Sequence, residues 1–76
     1  MYYICVPGLG YVHKQWQADE PRFCADLAKA KSWKQATTAL KFSTQNLANR
    51  VHVRWELWQD TEGGLIPIIR PQANRS

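Results

Sequence analysis

The stretch that most constrains this chain is residues 51–58, Val-His-Val-Arg-Trp-Glu-Leu-Trp. Apolar and polar side chains alternate there without a break. Val51, Val53, Trp55 and Leu57 fall on one side, and His52, Arg54, Glu56 and Trp58 on the other. A period of two belongs to an extended backbone, and it predicts a half-buried antiparallel strand over 51–58. The first set is expected in a core and the second on a surface. Such a strand cannot bury its apolar side alone, so the rest of the chain must supply a second layer.

That layer is expected from residue 32 onward. Ser32 and Gln35 have the spacing of a capping box, in which each side chain bonds the other's backbone N–H. At helical spacing, Trp33, Ala36, Leu40, Ser43 and Leu47 form one stripe, with Ala39 at its border. The small residues in it let a helix lie close to a sheet. Asn46 or Asn49 is the expected end, because Asn tolerates the left-handed conformation.

Residues 2–6, Tyr-Tyr-Ile-Cys-Val, are aromatic and β-branched and read as a strand. Pro7-Gly8-Leu9-Gly10 breaks it. Residues 11–16 fit either a returning strand or the far arm of an irregular loop. Residues 17–21 are polar and end in Pro, a loop signal. Residues 22–31 read as extended, against a helical turn begun at Asp26. Asp60 to Gly64 is a hairpin loop, and Leu65 to Arg70 the returning strand. Pro67 inside it argues for an edge position, since Pro donates nothing to a ladder. Residues 71–76 are expected to be a frayed polar tail. The fold expected is α+β: a small antiparallel sheet of three to four strands with one helix on one face.

With 76 residues, the chain has room for a single domain over 1–76. A core this small is near the limit of self-sufficiency, and four Trp compensate by burying large areas. No segment resembles a signal peptide or is long enough to span a bilayer, so a cytoplasmic location is expected. Cys5 and Cys24 then read as free thiols, acting as small buried hydrophobes.

Candidate chemistry is sparse. The order Cys5, His13, Cys24, His52 lacks the short paired spacings of a zinc site. No nucleophile sits on a recognisable elbow, and paired carboxylates are few. Pro7-Gly8-Leu9-Gly10 lacks the Lys-Ser/Thr of a phosphate loop. No catalytic residue, cofactor or metal is therefore expected, and the chain reads as a binding protein.

Two features suit binding. Lys29, Lys31, Lys34 and Lys41 lie close together with no acid between them, suiting phosphates or an acidic protein surface. The outer strand side carries Arg54, Glu56 and Trp58, residue types that anchor interfaces or stack bases. The expected partner-binding set is Lys31, Lys34, Lys41, Arg54, Glu56 and Trp58. The formal charge of +4 favours an anionic partner. It is mild for a nucleic-acid binder, and Glu56 opposes phosphate, so a protein partner ranks first. The alternative is a small basic DNA- or RNA-binding module. Either a monomer or a homodimer joined through the Pro67 strand is compatible with the sequence.

Ala30-Lys31-Ser32-Trp33-x-x-Ala36, the helix after it, and the hairpin through Asp60-Thr-Glu-Gly-Gly-Leu-Ile-Pro-Ile-Ile resemble small phage and prophage accessory proteins. Among these, residues 28–70 are similar to some small anti-CRISPR proteins. The resemblance implies a non-enzymatic inhibitor that binds a host protein complex, as anti-CRISPR proteins mostly bind Cas proteins at nucleic-acid or nuclease surfaces. It assigns no individual residue.

Overall fold

In a computed structural model, which describes residues 1–17, 19–51 and 54–69 (49–51 by backbone only), the N-terminal run forms strand β1 (Tyr2–Val6). Pro7 and Gly8 then turn the chain. The Leu9 amide donates to the Val6 carbonyl at 2.9 Å, and Gly8 takes the positive φ of 88° that the third position of a type II turn requires. The chain returns as β2 (Gly10–Val12), settling residues 11–16 as a short strand followed by a turn. Residues 22–31 are extended only in part. β3 (Phe23–Cys24) pairs with β2, and Leu27–Lys29 forms one 3₁₀ turn capped by the Asp26 carboxylate on the Ala28 amide.

The chain next runs alongside the sheet rather than into a helix. Trp33 exchanges both backbone hydrogen bonds with Tyr2, at 2.8 and 2.9 Å. Its N–H and C=O are thus committed to a ladder. The expected capping box at Ser32 and Gln35 does not form, because residue 33 cannot be extended and helical at once. Helix α1 (Ala36–Phe42) starts after Gln35, which makes no side-chain cap bond.

The helix also runs past Asn46 and Asn49. It widens into a π-helix over Ser43–Val51. Ser43 Oγ, Thr44 Oγ1 and Asn46 Nδ2 donate to the carbonyls of Ala39, Leu40 and Phe42, each four residues back. These side chains compete for acceptors of the ordinary α ladder, which favours amide bonds reaching one residue further.

Val51 therefore ends a helix instead of starting a strand. Residues 52 and 53 lie outside the described residues, and Arg54 and Trp55 are irregular. β4 spans Glu56–Thr61, so the strand expected over 51–58 is displaced toward the C-terminus. After a turn at Glu62 and Gly63, β5 (Gly64–Ile69) returns. The tail at 71–76 is also outside the described residues.

Among the described residues all strand pairings are antiparallel and the order is β3-β2-β1-β4-β5, which gives five strands rather than three to four. The α+β expectation holds, with the helical layer on one face. β5 is an edge strand, as Pro67 indicated. Pro67 stands opposite Trp58, where the ladder needs no amide from it. The register shifts between Leu57 and Trp58, leaving Ile68 as the extra residue.

The core joins Ile4, Val6, Val12 and Leu57 from the sheet to Trp33, Ala39 and Leu47. Ala39 is wholly buried and Leu40 only partly, so the buried stripe runs Ala39, Ser43, Leu47 rather than through Leu40. Phe42 locks the layers together, with its ring centroid 4.9 Å from Trp16 and 5.1 Å from Trp33. Trp55 packs against the core as expected. Val51 and Val53 cannot be placed in it, since the side chain of 51 and all of 53 lie outside the described residues.

Candidate protein-binding surface

Because side chains alternate along a strand, burying Leu57 turns Glu56, Trp58 and Asp60 to the other face of the sheet. The register brings further residues beside them. One row crosses the sheet as Cys24, Tyr11, Cys5 and Glu56, through the pairs Tyr11↔Cys24, Cys5↔Tyr11 and Cys5↔Glu56. The next row is Tyr3, Trp58 and Pro67. Leu65 stands opposite Asp60 beyond it. None of these residues belongs to the core or packs against it.

The face is aromatic and weakly acidic. Tyr3, Tyr11 and Trp58 are half-buried along their flanks and turn their remaining surface outward. The indole N–H of Trp58 donates to Glu56 Oε1 at 3.0 Å, which fixes the ring against its own strand. Among the described residues, no strand position on this face is Lys or Arg. A surface of this kind suits a protein partner, where flat aromatic side chains supply contact area at low entropic cost.

Cys5 and Cys24 lie on this face rather than in the core. Both are free thiols on either side of Tyr11. Burial pushes the Cys5 thiol up from its ordinary value, and the Glu56 carboxylate opposite raises it further. Cys5 is thus held protonated and is a poor nucleophile at neutral pH. Glu56→Gln removes the second cause and should speed alkylation of Cys5 by iodoacetamide near pH 8, read by mass spectrometry. An unchanged rate would show that Glu56 does not act on the thiol. Among the described residues no group of three or more His, Cys, Asp or Glu is placed to hold a metal.

The six residues expected to bind together are not brought together. Glu56 and Trp58 share the open sheet face. Arg54 is exposed but precedes β4, so strand alternation does not place it beside them. The lysines belong to the helix side. Lys31 Nζ sits 5.7 Å from the centroid of the buried Trp33 ring, Lys34 is exposed just after it, and Lys41 is exposed in the last turn of α1. Sequence reasoning also missed Tyr3 and Tyr11. The alternation within residues 2–6 was visible, but only the strand register reveals that Tyr3 faces Trp58.

No family model matches the sequence, and no curated protein or solved structure matches it significantly. No helix among the described residues is long and apolar enough to cross a membrane.

Proposed function

We propose that this chain is a non-enzymatic binding protein that docks on a host protein through the outer face of its sheet. The observation that supports this reading is the cross-strand pair Tyr3–Trp58 with Tyr11 beside it, on the face opposite the helical layer. Interfaces draw most of their energy from a few such aromatic anchors. Glu56 and Asp60 on the same face repel phosphate, so a protein fits this surface better than a nucleic acid does. The resemblance to small phage accessory proteins sharpens the proposal to an inhibitor of a host complex, of the anti-CRISPR kind.

The test uses Trp58→Ala and Tyr3→Ala beside the unaltered protein as baits in host lysate, followed by titration with the purified captured protein. Each substitution should weaken binding by at least tenfold while the far-ultraviolet circular dichroism stays unchanged. Equal affinity for all three proteins would refute the site. For the sharper version, the protein is added to purified Cas effector cleavage reactions, and cleavage should fall. Undiminished cleavage would remove the anti-CRISPR reading and leave the binding surface.

A further inference from the structure

The helix side has a feature that the run of lysines at 29–41 does not reveal. Lys14, distant in sequence, is drawn into that run. Its backbone N–H donates to the Lys29 carbonyl at 3.0 Å. One rung along, the Lys31 N–H donates to the Val12 carbonyl at 2.8 Å, and His13 bridges Ala30 between them. Lys14, Lys29 and Lys31 therefore occupy neighbouring rungs of one short antiparallel pairing. Like charges set across a pairing repel one another and cost stability. No carboxylate among the described residues forms an ion pair with them, since the salt bridge present joins Arg22 to Glu20. Asp26, close in sequence, accepts from the Ala28 amide.

We infer that Lys14, Lys29 and Lys31 form an anion-binding surface, with Lys34 and Lys41 exposed further along the chain, whose ligand is the phosphate backbone of a nucleic acid. This surface is separate from the aromatic sheet face and does not depend on it. Two observations favour phosphates over an acidic protein. Lysines are point charges on mobile stems, sufficient for phosphates and poor at fixing carboxylates in pairs. The aromatic group beneath them offers no protein anchor, because Trp33 is only 8% exposed and lies below the Lys31 ammonium. For the same reason no base can stack there, so binding is independent of sequence.

The test is fluorescence anisotropy with a labelled DNA duplex of about 20 base pairs, titrated between 50 and 200 mM KCl, with unlabelled poly-glutamate as a competing polyanion. Neutralising about four phosphates should give a salt slope of roughly −3 to −4, an affinity loss of about 100-fold over that range. The Lys14→Gln, Lys29→Gln, Lys31→Gln triple variant should flatten the slope by about 2 to 3, while the matching Arg triple retains it. Should the Gln triple fail to fold, Lys14→Gln alone should flatten it by about 1. Absence of binding at 50 mM, a slope indifferent to these lysines, or displacement by poly-glutamate as effective as by unlabelled duplex would each overturn the inference. The last of these would assign the surface to an acidic protein instead.

Discussion

Leu57→Ala should remove about 2–5 kcal/mol of stability, whereas Trp58→Ala next to it should cost about 1 kcal/mol or less. Leu57 is fully buried, stands opposite Ile4 in the middle of the sheet, and lies in the cluster with Trp33, Ala39 and Leu47. Truncating it leaves a cavity, because close-packed surroundings relax into such a space only in part. A chain of 76 residues has about 4–11 kcal/mol of stability in total. The Leu57 variant is thus expected to be partly unfolded at 37 °C, and the Trp58 variant folded. Urea melts followed by circular dichroism read both. Similar midpoints for the two variants would contradict the assignment of faces, and with it the claim that Trp58 faces outward.

Gly10→Ala should be as damaging, for a reason that lies in the backbone. Gly10 adopts φ 107°, and a Cβ there would lie 2.5 Å from the Cys24 carbonyl oxygen and 3.1 Å from its carbon. Those atoms are backbone, so β3 itself must move. Left-handed strain and overpacking each cost about 1–3 kcal/mol, giving a loss of about 2–6 kcal/mol. Gly8→Ala is the control. Gly8 also has positive φ, at 88°, but nothing lies within 4 Å of its Cβ position. It should lose only the torsional part, about 1–2 kcal/mol. Equal losses in the two variants would mean that the approach of β3 to Gly10 does not constrain the fold.

What the sequence made legible follows from how local each signal is. Residues 2–6 and the Pro7–Gly8 turn rest on adjacent residues, and they form where the sequence placed them; the hairpin forms too, but its loop shrinks from Asp60–Gly64 to Glu62 and Gly63 because Asp60, Thr61 and Gly64 join the ladder. Pro67 at the sheet edge was legible because a missing amide allows few positions. The helix start was not. The capping-box spacing at Ser32 was overridden by two long-range hydrogen bonds between Trp33 and Tyr2, invisible to any local pattern. The helix end failed similarly, since alternation from Val51 reads as strand while back-bonding from Ser43, Thr44 and Asn46 accompanies continued helix. The candidate site was half legible. Glu56 and Trp58 share a face as their spacing requires, but Tyr3 and Tyr11 reach them only through register. Lys14 joins Lys29 only through a pairing that spans the intervening loop.

A molecule with an acidic aromatic sheet face and a lysine-bearing helix side can hold two chemically different surfaces at once. A protein on one side and a phosphate backbone on the other would together describe a nucleoprotein complex. The most direct test of the central claim, that the open sheet face is the docking surface, is photo-crosslinking in host cells. A benzophenone amino acid replaces Tyr3 or Tyr11 in turn, and Thr37 on the exposed side of α1 as the reference. The account predicts one discrete crosslinked protein from positions 3 and 11 and none from 37. Crosslinks to the same protein from position 37, with none from the sheet face, would contradict it.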